Sequence, residues 1–318
     1  MRLSAIFLAS ILGTALAHEE NLSPVEIQRR STLSRRCEAS AANFNKKRYE
    51  RRVSKRWAGS GNTTYQVHAE APYYETIQND TCVLSPIVTE GPYVWPRSET
   101  LRQDMTEDQE GVPVWLDIGV LDMATCEPLE DVLLSFWHCN ATGSYSSFTG
   151  LDPNTDFVEL LSELGRNVSD FEIGVTDLHT DDTTWLRGMW PTDAQGMMEM
   201  KTIFPGFYTG RAIHIHVQAY SDWTLHDNGT VSTGNIVSTG QLFFNETVSS
   251  HIMALEPYAS HTQINRTTNS VDSIFSYDGG YNPVVSVVPA DGTDISNGMI
   301  GYITIGVDTT ADGVDNSQ

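Results

Sequence analysis

A chain of 318 residues with 40% hydrophobic side chains can bury a sizeable core, so it is a folded protein of one large or two medium domains. Its formal net charge of −22 argues against nucleic acid or an anionic membrane surface as a partner. After residue 17 no stretch carries about eighteen uninterrupted apolar residues, which excludes a spanning helix.

In chain order, MRLSAIFLASILGTALA has one basic residue, Arg2, an apolar run and a small-residue end at Ala15, Leu16 and Ala17, the pattern of a secretory signal over 1–17. The expected product is a secreted, extracellular glycoprotein. Eight N-x-[ST] sequons agree with export: Asn21, Asn62, Asn79, Asn140, Asn167, Asn228, Asn245 and Asn265.

Residues 18–58 hold eleven of the nineteen basic residues in the chain, leaving the rest strongly acidic. CEASAANFNKKRYERRVSKR lacks Pro and Gly and is expected to be helical. Three readings are open for this basic segment: an arm docked on its own body or on a partner subunit, which would make a homodimer; a leader removed at a dibasic pair such as Lys55-Arg56; or a nucleic-acid binder, against which export argues. Four cysteines, Cys37, Cys82, Cys126 and Cys139, allow three pairings, and disulfides persist in exported proteins. If DVLLSFWHC is a strand, Cys126 and Cys139 lie tens of ångströms apart at about 3.3 Å per residue, whereas a disulfide needs Cα atoms within about 7 Å. Cys82 is therefore expected to pair with Cys126 or Cys139.

The main body is expected over 59–307, followed by an acidic flexible tail at 308–318. From Val112 onward the pattern is all-β. VPVWLDIGVLDM and DVLLSFWHCN flank the Pro-containing turn ATCEPLE and read as a hairpin; MMEMKTIFPG, AIHIHVQAY, STGQLFFNE, NPVVSVVPA and MIGYITIGVD follow. The expected fold is mainly β, an antiparallel sandwich with a helical N-terminal arm. A long acidic insertion at 146–185 contains one helix, FVELLSELGRNVSDFE at 157–172.

Among nine histidines, His214 and His216 are spaced to point to one face of a strand, a metal-ligand spacing and equally that of an amphipathic strand with one polar face. Tyr208 follows the turn PGF, which can aim it back at that strand, and Tyr145 follows a Gly at the end of WHCNATG.

WHCNATGSY, WLRGMWPTDAQGMMEMKTIFPGFYTGRAIHIHV and TGQLFF, with TCVLSPIVTEGPY ahead of them, resemble the intradiol ring-cleavage dioxygenases, non-haem Fe(III) enzymes that open catechols, in their secreted single-chain branch. The resemblance spans roughly 80 to 245. It implies one Fe(III) per chain, held by Tyr145, Tyr208, His214 and His216, with Arg211 and Gln241 stabilising charge on the substrate. It also implies a small aromatic diol and O₂ as substrates and cis,cis-muconate-type diacids as products. Independently, hard phenolate oxygens suit a ferric ion, because a bound cation depresses the phenol pKa well below its usual value near 10. The insertion and the arm have no counterpart in this resemblance.

Two other classes compete. Cleavage after Ala17 would expose His18 as an N-terminal copper chelator, as in a polysaccharide oxidase; against this, the basic segment that follows does not read as the first strand of a core. A non-catalytic carbohydrate-binding sandwich would need no metal. A cupin reading of His-x-His fails for want of a glutamate a few residues on.

Overall fold

Alternating apolar side chains build the strands, and the computed structural model describes residues 24–57, 82–83, 91–95, 100–171, 176–227, 231–234, 236–275 and 282–309, with backbone alone for 26–27, 49–57 and 82–83. The strands are β1 (Cys82–Val83), β2 (Pro113–Asp122), β3 (Leu133–Trp137), β4 (Arg187–Pro191), β5 (Met197–Ile203), β6 (His214–Tyr220), β7 (Trp223–Leu225), β8 (Val231–Thr233), β9 (Ile236–Phe244), β10 (Val284–Pro289) and β11 (Met299–Val307). Nine of them form one sheet in the order β4-β3-β6-β9-β10-β11-β2-β5, with β1 on β11; β7 and β8 pair separately. Leu101 bridges to Met189 of β4 and Asp104 to Lys201 of β5, so the two ends of the sheet nearly meet. The expectation of a mainly β fold is met.

The pairing is mixed rather than purely antiparallel: β2–β11, β9–β10 and β1–β11 are parallel. A parallel pair needs a long crossover, and the whole run from β3 to β10 supplies it between β2 and β11. The expected hairpin of β2 with β3 is also corrected. The chain does turn back, with Asp122 N–H bonded to Glu127 O at 2.9 Å and Leu129 N–H to Val120 O at 3.0 Å. Both edges of β2 are taken by β11 and β5, however, so β3 leaves to pair with β4 and β6.

The insertion helix is shorter than its pattern suggested. It is α3 (Phe157–Glu163), opened by Asp156, whose side chain accepts from Val158 N–H. Gly165 ends it at a φ of 68°: its N–H reaches Ser162 O at 3.0 Å, and Arg166 N–H reaches Leu161 O at 2.9 Å. The sequence reading missed β4, β7, β8 and the helix α4 (Glu246–Ile252), which Asn245 caps.

Two further helices, α1 (Pro24–Arg36) and α2 (Glu38–Trp57), pack against the sheet. Buried Arg48 donates from Nε to Asp117 Oδ1 at 2.9 Å and from Nη1 to Ile303 O at 3.2 Å, pinning α2 to β2 and β11. Arg29 bonds Asp308 at 2.8 Å. The expected cysteine pairing is overturned: Cys37 is bonded to Cys126, with Cα atoms 5.2 Å apart, and Cys139 is a buried free thiol. The docked helices bring Cys37 to the turn after β2, a proximity that distance along the chain does not reveal. The signal segment and His18 lie outside the described residues, as does nearly all of the tail. Among the described residues no helix is long and apolar enough to cross a membrane.

Val114, Leu116, Ile118, Ile215, Val217 and Leu242 belong to one apolar core. On β6 the residues alternate with His214 and His216, so the histidines face away from this core. They are nonetheless buried, because a second apolar cluster roofs that face, drawn largely from the insertion: Phe148, Leu151, Phe157, Leu160 and Leu161.

Candidate active site

Three short segments converge under this roof. The first is β6 with its histidines, and Gln241 on β9 stands directly opposite His216. On the other side β3 places Trp137 opposite His216, where the two rings stack with centroids 4.8 Å apart. The second segment is the turn after β3 that carries Tyr145. Asn140 shapes it: its side-chain oxygen accepts from Thr142 N–H at 3.1 Å and Ser144 N–H at 3.0 Å. The third is the stretch after β5 that carries Tyr208. Asn140 ties this one in too, since its carbonyl accepts from Gly143 N–H at 3.0 Å and Gly206 N–H at 3.1 Å.

The structure thus brings together the six residues that the resemblance assigned to one site: Tyr145, Tyr208, Arg211, His214, His216 and Gln241 are all at most 5% exposed. His214 Nδ1 lies 2.6 Å from Ala212 O, and a carbonyl can only accept, so Nδ1 carries the proton and Nε2 offers its lone pair. That Nε2 is 3.0 Å from His216 Nε2 and 3.4 Å from Tyr208 Oη. Two nitrogen donors at about 2.1 Å from one ion and at right angles would be about 3.0 Å apart. Tyr145 packs edge-on to Tyr208 at 5.5 Å, and its buried hydroxyl interacts with that of Tyr208 but makes no hydrogen bond of good geometry among the described residues. Two imidazole nitrogens and two phenol oxygens make a donor set that fits a hard trivalent cation. Among the described residues no group of three or more His, Cys, Asp and Glu side chains could hold a metal, which is consistent with a set that is half tyrosine.

The electrostatics point the same way. Burial, the largest cause, raises the pKa of both phenols, Tyr208 to about 12 despite the opposing charge of Arg211, and Tyr145 well above the usual phenol value. Burial thus favours the neutral form of both phenols, and a multivalent cation bound beside them would favour the phenolates. Arg187, whose pKa burial lowers to about 10, donates to Ser146 O and Tyr93 O, both at 2.8 Å, and so fastens the Tyr145 turn to the 91–95 segment. His138 is buried against Cys139 O and Thr202, and burial holds its pKa down at about 4: a neutral structural residue.

Four contributors escaped the sequence reading. Tyr93 stacks on Tyr145 with centroids 4.5 Å apart. Gly91 abuts His216: a Cβ there would sit 3.1 Å from the imidazole Cε1, and its φ of 77° also favours glycine. Both lie in TCVLSPIVTEGPY, so alignment to that motif could have flagged them. Arg187 sits in WLRGMWPTD and could have been found likewise. Asp272 had no signal: it bonds Arg211 across 61 residues from a segment without a motif. Burial raises its carboxyl pKa, but the Arg211 charge and several hydrogen bonds outweigh that and hold it below the usual range.

No protein-family profile matches the chain. No curated protein matches it either. Solved structures do. An intradiol ring-cleavage dioxygenase from Tetranychus urticae is 26% identical over 72% of this chain and 96% of its own, with a TM-score of 0.55. A second dioxygenase is 25% identical over the same 72% and 96%, also at 0.55. In fold the chain resembles the intradiol ring-cleavage dioxygenases.

Proposed function

We propose that the protein is an extracellular intradiol dioxygenase that cleaves catechol-type aromatic diols with O₂ to cis,cis-muconate-type diacids. The observation that carries this reading is the convergence of His214 Nε2, His216 Nε2 and Tyr208 Oη beside the buried hydroxyl of Tyr145. These four side chains would hold one Fe(III) per chain. Bound there, a ferric ion would make a chelated catechol electron-rich enough at ring carbon to react with O₂.

The rest of the chemistry belongs to the side chains. Arg211 Nη1 and Gln241 Nε2 are buried and have no partner among the described residues, which leaves N–H donors for negative charge on the substrate oxygens. Tyr208, as a phenolate, would accept a catechol proton at Oη and move aside. Trp137, Tyr93 and Phe148 exclude water from this space, which strengthens every one of these interactions.

The test is metal content, colour and anaerobic catechol binding. Pure protein should contain about one iron per chain and be reddish, because ferric tyrosinate absorbs visible light. Anaerobic catechol should shift that spectrum, and admitting O₂ should yield a diacid. An iron-replete but colourless preparation, or a spectrum indifferent to every catechol tried, would refute the reading; copper in place of iron would favour oxidase chemistry.

A further inference from the structure

The Asp272 side chain is wholly buried and accepts every hydrogen bond within its reach. Its Oδ2 takes Arg211 Nε–H at 2.9 Å and Ala212 N–H at 2.7 Å; its Oδ1 takes Ile274 N–H at 2.8 Å, Phe275 N–H at 3.1 Å and Arg211 Nη2 at 3.4 Å. Arg211 Nη2 also donates to Gln241 Oε1. Of the five guanidinium N–H groups, those on Nε and Nη2 are thereby directed at protein acceptors, and Nη1 alone has no partner among the described residues. The same relay fixes the Gln241 amide. Its oxygen faces the guanidinium, so its Nε2 is turned the other way and is likewise unpartnered among the described residues.

We propose that Asp272 is a positioning residue for ring cleavage: its carboxylate sets the direction of the relay Asp272–Arg211–Gln241, so that the two groups left over for substrate, Arg211 Nη1 and Gln241 Nε2, are both donors. A buried guanidinium without a counter-charge is costly to hold and free to rotate toward any acceptor. With Asp272 in place the donors are aimed before substrate arrives and need no rearrangement as charge develops. This inference rests on the dioxygenase reading of the same site. The competing explanation is that Asp272 merely anchors the 272–275 turn, which seats Phe275 against Phe243 at 5.1 Å.

The experiment compares Asp272→Asn, Arg211→Ala and the double variant with wild type, each checked for iron content and for the spectral shift with anaerobic catechol. The expected result is that Asp272→Asn keeps its iron and the catechol shift, while kcat falls about 10–100-fold with KM little changed, the usual size for the loss of an outer supporting partner. The double variant should be no slower than Arg211→Ala alone, because Asp272 acts only through Arg211. A kcat within twofold of wild type, losses that multiply in the double variant, or iron lost in step with activity would each overturn the proposal.

A second measurement needs neither turnover nor a folded Asp272 variant. In iron-free, ¹⁵N-labelled wild type, the Arg211 Nε–H resonance, assigned by its absence from Arg211→Lys, should exchange slowly with water; rapid exchange would overturn the proposal. Wild type that fails to bind iron or catechol would instead sink the dioxygenase reading, whereas rapid exchange of this resonance would sink the hold of Asp272 on Arg211 and leave that reading standing.

Discussion

The two site tyrosines differ in how the chain holds them. Tyr145 is clamped: Tyr93 stacks on its ring at 4.5 Å, and Arg187 fastens the next residue, Ser146, through Oγ at 2.9 Å and O at 2.8 Å. Tyr208 is held by its backbone neighbours, with Gly206 N–H on Asn140 O and Thr209 N–H on Pro153 O at 3.0 Å, while its ring makes edge-on contacts with Tyr93, Tyr145 and His214. A ring tethered in this way can swing without breaking a hydrogen-bonded turn. Tyr208→Phe should therefore keep its iron and part of its colour but bind catechol slowly and turn over poorly. Tyr145→Phe should lose most of its iron or all of its activity. Iron content, visible spectrum and anaerobic binding of both variants decide this, and indistinguishable variants would refute the division of roles. At this scale Arg211, His214 and His216 were legible because they crowd into six residues whose strand alternation puts both histidines on one face. Asp272 was illegible because its meaning depends on a partner far away in the chain.

Among the elements, the arm is held to the body by a covalent bond and a buried ion pair. The Cys37–Cys126 disulfide closes a loop of 89 residues, and Arg48 meets Asp117 where both are buried. Cys37→Ser should lower unfolding stability by about 2–5 kcal/mol. Denaturant melts with the slope held constant would show it, and a midpoint unchanged from wild type would mean that the disulfide contributes nothing. Because the side chains proposed to be catalytic lie on the opposite side of the sheet's core from α2, turnover per folded molecule in dilute buffer should persist. A cut at Lys55-Arg56 would leave the arm attached through this disulfide until it is reduced. The existence of most strands could be read from alternation, but their partners could not. β2 was expected beside β3 and is found between β11 and β5, since neighbour choice is settled by which edges remain free when the sheet wraps.

For the molecule as a whole, export and glycosylation are linked expectations. Asn167, Asn245 and Asn265 are exposed and accessible to glycan transfer. Asn140 is half-buried and commits its amide nitrogen to Gln109 Oε1 at 3.2 Å and its oxygen to three donors in the Tyr145 turn. Mass spectrometry of secreted protein should find the mature chain starting at or near His18, glycans on the exposed sequons and none on Asn140. A chain starting at Met1 would sink the secretory reading, and a glycan on Asn140 would show that the turn does not hold its side chain.

Alone, the sequence indicated the β character of the body and the helical character of the basic arm, and its resemblance to a known family named six candidate site residues, all of which the fold buries. The first two rest on patterns within a few residues, period-two alternation and a run without Pro or Gly, as do four of the six candidates in a Tyr-x-x-Arg-x-x-His-x-His spacing, whereas Tyr145 and Gln241 stand apart and came only from the resemblance. Only the tertiary structure decided that Cys37 bonds Cys126, that β2 lies parallel to β11, that the insertion roofs the histidines, and that Asp272 stands behind Arg211. Those contacts join segments tens to hundreds of residues apart. They are selected by burial, free strand edges and the need of a buried charge for a partner, which come into being only when the whole chain has folded.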